Sequence, residues 1–241
     1  MHGLSTELEV VTERDWLPEL KPEPWTVFVP VLVPQKRPSA PLPSTDPPAL
    51  PLSRLTFELK TPRPDIFVAF SESSFSSSSL LDPLQAGGTL FSDPTTSLGV
   101  RFPFLLIETK PAATGGSLYH AQNQAAAGGA CMLNALKRLG ELSQLQGDGS
   151  PPTSLASTPM AFSILSSSSL VEVWIHYWNS LGTASTPHSS CLAKLAVFDC
   201  TMGDGCESFL RMLSGIIRWG VRELEMWCNE TLDTIAASSA G

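Results

Sequence analysis

Two acidic side chains and a lysine form the arrangement in this 241-residue chain best suited to hydrolytic chemistry. Asp65 follows Pro64 and opens the apolar run Asp65-Ile-Phe-Val-Ala-Phe70. Glu108 and Lys110 close a longer run, Phe102-Pro-Phe-Leu-Leu-Ile-Glu-Thr-Lys110. Side chains two apart on a strand share a face, so Glu108 and Lys110 project together. If the two runs are neighbouring strands, Asp65 meets Glu108 at one end of a sheet. Paired carboxylates make a hard-oxygen site for Mg²⁺ or Mn²⁺, which keep waters and take phosphate oxygens as further ligands. Such a metal lowers the pKa of a bound water and neutralises charge on a phosphorane-like transition state. Lys110 could orient that water or stabilise the developing charge. The plainer alternative is a surface Glu–Lys pair capping a strand, with Asp65 in an ordinary turn. Glu-x-Lys also occurs as Glu19-Leu-Lys21 and Glu58-Leu-Lys60, but neither follows the Pro-Asp dipeptide.

The elements that must hold these groups can be read in outline. Prolines crowd residues 18–51, and proline lacks the amide donor and fixes φ, so this stretch is expected as an extended arm. A short helix is possible before it at Leu4–Leu17, and Trp25–Pro34 could be an edge strand interrupted at Pro30 or an extended segment. Leu55–Lys60 alternates as a strand. Residues 71–99 are rich in Ser and Gly and are expected as a long surface insertion. The 102–110 run is apolar enough to be buried on both faces, as a central strand. Leu118, Ala121, Ala125, Gly129, Met132, Leu136 and Leu139 follow helical steps over 117–139, and Gly128-Gly129 suits a helix pressed close to a sheet. A Gly/Pro/Ser loop is expected at 141–159. Strands follow at Met160–Leu165, Leu170–Trp178 and Lys194–Cys200, then an amphipathic helix from Glu207 to about Thr234 that breaks or kinks at Trp219-Gly220. The whole is an α/β chain with a mixed sheet, divided into an arm at 1–52 and a domain at 53–241.

Other candidates carry less. His120 lies near the start of the helix after the motif and could approach the same site, or cap the helix. His176 alternates with Glu172, Trp174 and Trp178 on one strand face, which could stack bases or pack beneath a helix. His2 and His188 have no evident partners. Asp199–Glu207 lacks the alternating oxygen ligands of a calcium loop and is expected to cap the last helix through Asp204 or Glu207. The serine runs 76–79 and 166–169 could accept phosphate. No serine-hydrolase elbow, Walker loop or dinucleotide fingerprint is present.

Pro64-Asp65, then FPFLLIETK, then a helix reading YHAQNQAAAGGACMLNALKRL, together resemble the PD-(D/E)xK nuclease superfamily, most closely the nuclease-like proteins of filamentous fungi. The resemblance runs from roughly Leu55 to Trp219. It implies a restriction-endonuclease-like core: a helix, a mainly antiparallel three-strand unit, a crossover helix and a further strand. It implies Asp65 and Glu108 as carboxylates holding Mg²⁺ or Mn²⁺, with Lys110 as the catalytic lysine. Several branches add a helical glutamine, a place that Gln122 or Gln124 could fill. The associated tyrosine four positions later is not met, since Ala126 and Gly128 stand there. A further acid often comes from the first helix, for which Glu7, Glu9 and Glu13 are candidates. The implied activity is phosphodiester hydrolysis, in DNA ahead of RNA. A second reading keeps the fold without catalysis, as a binding or regulatory module. A third, a scaffold without nuclease ancestry, requires the two carboxylates to stand beyond roughly 8 Å, too far to share a metal or metal pair.

Composition bounds these readings. Fifteen Lys and Arg against 23 Asp and Glu give a net charge of −8, which argues against an electrostatic nucleic-acid coat or a polybasic membrane anchor. A local groove could still draw on Arg54, Lys60, Arg63, Arg101, Lys110, Lys137 and Arg138. No run approaches the roughly 18 apolar residues that a membrane span needs. Five cysteines without a C-x-x-C pair are expected as free thiols in an intracellular protein, nuclear or cytoplasmic, with no secretory signal at the N-terminus. The proline arm is a candidate surface for a protein partner.

Overall fold

The computed structural model of the chain describes residues 7–22, 25–30, 52–57, 60–95, 98–110, 117–146, 159–178 and 190–239. Most of the proline arm, the 147–158 stretch, His2 and His188 lie outside them. Along the chain run β1 (Leu8–Thr12), β2 (Trp25–Pro30), β3 (Leu52–Phe57), β4 (Ile66–Ser71), α1 (Leu81–Ala86), β5 (Val100–Thr109), α2 (Leu118–Gln146), β6 (Met160–Ser167), β7 (Leu170–Trp178), β8 (Ser190–Asp199), α3 (Gly203–Trp219) and α4 (Glu225–Ser239). Two compact units divide the chain: Met1–Pro22 with Thr61–Gly241, and Glu23–Lys60. The smaller unit holds β2 and β3 as an antiparallel pair. Of the strand expected over 55–60, residues 55–57 lie in β3 and pair with β2.

The larger unit is a six-stranded mixed sheet in the order β1-β4-β5-β6-β7-β8, flanked by helices. Its pairs are antiparallel except β5 with β6, which run parallel through the α2 crossover. β5 is central, as its apolar run predicts, and eight of its ten residues are buried up to Glu108 except Ile107, which is half-buried. Pro103 cannot donate to a ladder, and the register slips beside it, from Val68 opposite Leu105 to Phe70 opposite Arg101. Leu106 and Glu108 share one face with Leu165 and with Glu172, Trp174 and His176, a face covered by α2. Leu105, Phe162, Ile164 and Val173 share the other, beneath α3 and α4.

α2 lies close because it has no side chains in the way. A Cβ on Gly128 would stand 2.5 Å from Leu106 Cδ2, and one on Gly129 would stand 2.0 Å from His176 Nδ1. The helix runs on to Gln146, past the expected start of a loop at 141. On the opposite layer the expected break at Trp219-Gly220 is a π-helical turn, Gly220–Leu224, joining α3 to α4. There Gly220 admits Phe104, whose Cε2 would be 2.5 Å from an added Cβ.

Two sequence expectations fail. The possible helix at Leu4–Leu17 is instead strand β1, which pairs with β4 from Leu8 opposite Phe70 to Thr12 opposite Ile66. Trp16 and Leu20 then bury against the sheet, Trp16 edge-on to Phe67 at 5.4 Å. The Ser-rich 71–99 stretch is not a surface insertion. It buries Phe75, Leu81 and Leu90 in the core and closes over Arg101, whose guanidinium is 3% exposed. Arg101 pairs with Glu72 at 2.6 Å and Asp82 at 2.5 Å and donates to Ser92 Oγ at 3.2 Å. Burial alone would lower its pKa, but the two carboxylates outweigh that and raise it. A few well-placed apolar residues and one buried cation fold a segment whose composition suggests a loop.

Two helical glycines should respond oppositely to alanine. Gly129→Ala is expected to destabilise by about 1–3 kcal/mol through overpacking against His176. Gly215→Ala in α3, where nothing lies within 4 Å of the added Cβ, should stabilise by up to about 1 kcal/mol from helix propensity. Urea unfolding of both variants beside the parent checks this, and equal effects would mean that α2 does not pack as closely as described.

Candidate active site

Asp65 immediately precedes β4, and Glu108 and Lys110 lie at the end of β5, its antiparallel neighbour, so the sheet brings all three to one end. Lys110 Nζ stands 3.3 Å from Glu108 Oε2 and 3.9 Å from Asp65 Oδ2. One nitrogen that near both oxygens holds them within the roughly 8 Å reach of a shared metal or metal pair. The requirement of the scaffold reading, carboxylates far apart, is thus not met. Asp65 is fixed by a 2.6 Å hydrogen bond that its Oδ2 accepts from the Thr109 backbone N–H. The Lys110 N–H donates to the Ser166 carbonyl at 2.9 Å, which ties the tip of β5 to β6.

The three groups differ in access. The Glu108 side chain is 3% exposed, that of Lys110 19% and that of Asp65 38%. Burial pushes the Glu108 carboxyl up, and the neighbouring Asp65 adds to the rise. Lys110 opposes both, leaving Glu108 at about 7. A buried carboxylate held so far above its ordinary range is one that an added cation would stabilise.

The remaining expected site residues fall elsewhere. Gln122 Nε2 donates to Glu172 Oε2 at 3.1 Å, and Gln124 is exposed on α2, so neither touches the Asp65–Glu108 pair. The first-helix acids lie on or beside a strand. Glu7 accepts from Ser73 at the far end of β1, and Glu9 lies mid-strand. Glu13 is the one beside the site: its N–H donates to the Asp65 carbonyl at 3.1 Å, while its carboxylate faces Arg63 at 3.8 Å. His120 is exposed, its Nδ1 3.3 Å from Ser117 Oγ. His176 lies beneath α2 and is 2% exposed, its Nε2 2.9 Å from Ser163 Oγ. Arg101, expected as a groove residue, is buried at the other end of β5, and Lys137 and Arg138 both pair with Glu141. Glu207 pairs with Arg211.

Sequence reasoning missed a second buried acid. Glu108 pairs across the sheet with Leu165, and Leu165 with Glu172, so the two glutamates lie in one row on one face, two strands or about 10 Å apart. Glu172 accepts from Lys194 at 2.5 Å, Trp174 Nε1 at 2.9 Å and Gln122. Burial raises its pKa, but these donors together outweigh burial and leave the carboxyl below its ordinary value. The signal was a charged residue in phase with Trp174 and His176 on a strand face.

Opposite proton linkages follow from Glu108 and His176. Burial lowers His176 to about 4, against an ordinary 6.5. The folded state therefore binds its proton less readily, and that contribution to stability is full above 6.5 and lost as pH falls through 4. Glu108, raised from 4.5 to about 7, contributes below 4.5 and loses that contribution as pH rises through 7. Between 4.5 and 6.5 the two slopes oppose one another. Glu108→Gln removes one, so in EDTA its stability relative to the parent should grow from pH 5 to pH 8. Urea midpoints at four pH values check this, and a constant gap would refute the burial of an ionisable Glu108.

Among the described residues no helix is long and apolar enough to cross a membrane. No group of three or more His, Cys, Asp and Glu placed to hold a metal occurs among them either. No curated protein matches the chain. Residues 19–226 match the family model described as a domain of unknown function, DUF7924, a span that takes in Asp65, Glu108, Lys110 and Glu172. On that match, which covers most of its length, the chain belongs to the DUF7924 family.

Proposed function

We propose that the chain is a Mg²⁺- or Mn²⁺-dependent nuclease of restriction-endonuclease-like fold, hydrolysing phosphodiester bonds in DNA. The observation that carries this is the convergence of Asp65, Glu108 and Lys110 at one sheet end, with Lys110 Nζ 3.3 and 3.9 Å from the two carboxylates. The mixed sheet with α2 crossing from β5 to a parallel β6 supports the same reading.

The donor set fits a hard divalent ion, which takes one or two carboxylates and fills its remaining positions with waters and phosphate oxygens. Asp65 and Glu108 would hold it, and the buried, cation-seeking Glu108 favours that. When bound, the ion supplies a water of lowered pKa and positive charge for the phosphate oxygens. Asp65 is oriented for this by the Thr109 N–H, and the lower access of Glu108 keeps bulk water from its carboxylate. Lys110 lies beside both carboxylates, where its ammonium can position the attacking water and offset charge building on the phosphate.

A second reading, a non-catalytic module on the same fold, is favoured by one observation: Gln122 is engaged by Glu172 and Gln124 is exposed, so neither expected glutamine supports the pair. A cleavage panel of circular, linear and single-stranded DNA and RNA separates the two readings, run with Mg²⁺, Mn²⁺ or EDTA. The nuclease reading expects metal-dependent cutting that Asp65→Ala and Lys110→Ala each reduce by about a hundredfold or more. Cutting that survives both substitutions would place the activity elsewhere. No cutting by the parent protein with either metal would leave the binding module.

A further inference from the structure

Most cations near the site are already engaged, although Arg14, next to Glu13, is exposed. Lys110 belongs to the site, Lys194 is held by Glu172, and Arg63 faces Glu13 and Asp15 at 3.8 and 3.9 Å. Further off, Arg101 is buried between two acids, Lys137 and Arg138 share Glu141, and Arg211 pairs with Glu207. The segment after the motif, Pro111-Ala-Ala-Thr-Gly-Gly116, contains no Lys or Arg. A duplex-binding surface works by neutralising many phosphates, and this end of the sheet offers few groups to do so.

It offers aromatic rings instead. Tyr119 is 67% exposed, the most exposed Phe, Tyr or Trp ring among the described residues. It lies in the first turn of α2, three residues before Gln122, whose amide is on Glu172. Glu172 stands in the same sheet row as Glu108, so this turn stands at the site's end of the sheet. The exposed His120 ring lies 6.2 Å from that of Tyr119, tilted by 58°. The neighbouring Ser117 and Asn123 are also exposed and uncharged. A large ring left in water at the same end of the sheet as Glu108 is suited to stacking on a base.

We propose that this site takes single-stranded DNA, held through a base stacked on Tyr119, with His120 at its flank, and through few phosphate contacts. The inference rests on the nuclease reading for what happens to the strand. Stacking faces are presented by unpaired bases and hidden in a duplex, so the strand must be single at the point of cutting. Substrate choice then comes from Tyr119, and the chemistry from Asp65, Glu108 and Lys110.

Two measurements test this on the full chain. The first is anisotropy of a fluorescein-labelled oligothymidylate in EDTA, from 25 to 200 mM KCl, for the parent protein, Tyr119→Ala and Tyr119→Phe. The second is Mn²⁺-dependent cleavage of the same strand and of its duplex. We expect single-strand binding with a log–log salt slope shallower than about −2. Tyr119→Ala should weaken it about tenfold, and Tyr119→Phe should restore it. In cleavage, the same alanine should raise KM by a similar factor and leave kcat within about twofold. At 67% exposure the alanine change has little packing to lose. Duplex preferred over single strand, a salt slope of about −5 or steeper, or unchanged binding in Tyr119→Ala would each overturn the inference. Tyr119-dependent binding with no cleavage would sink the nuclease reading and leave strand binding standing.

Discussion

A carboxylate carried to the end of a buried strand is the constraint around which this structure is organised. β5 is central, so both of its faces must be covered, and Glu108 on it is all but withdrawn from water. An isolated buried charge is too costly to keep, and the fold meets that cost by setting Lys110 two residues on, on the same face. Covering the face in turn demands a helix that can lie flat on Leu106 and His176, hence the glycine pair in α2. Covering the other face demands the α3–α4 layer, whose π-helical turn makes room for Phe104 through Gly220.

Glu108 and Glu172 show how environment separates two identical side chains. Both are buried in the same row of the same sheet face. Glu172 accepts from three donors, two of them neutral, and stays ionised. Among the described residues Glu108 has one side-chain donor, Lys110, and a second carboxylate nearby, so its charge is only partly compensated. Glu172 is thus a fastening that ties α2 and β8 to β7, whereas Glu108 is held by Lys110 alone among the described side-chain donors. A buried arginine with two acids does the same fastening work at the other end of β5.

How much of this the sequence could disclose depended on where each element finds its partner. β5 was legible because burial on both faces leaves an uninterrupted apolar run, and α2 because its small and apolar residues repeat at helical steps. The meeting of Asp65, Glu108 and Lys110 was legible because strand periodicity alone sets Glu108 and Lys110 on one face. β1 was not, because Leu-Glu-Val-Val-Thr is too short to separate the two periodicities, and its partner β4 is far along the chain. The 71–99 stretch was misread because Phe75, Leu81 and Leu90 are too widely spaced to show a period, yet each is buried. The direction of Gln122 was beyond reach, since it depends on the lateral register that sets Glu172 opposite Leu165.

The parallel pairing of β5 with β6 has a consequence in time. Antiparallel neighbours such as β6 and β7, joined through Ser168 and Ser169, can zip from their turn outward. β5 and β6 cannot, because α2 and the segments flanking it must first be traversed. Asp65 and Thr109, whose hydrogen bond fixes the site, are themselves 44 positions apart. The site's groups are therefore assembled from non-local contacts, which are slower to close than the β6–β7 hairpin. A nascent or partly unfolded chain would carry every residue of the site without yet having one.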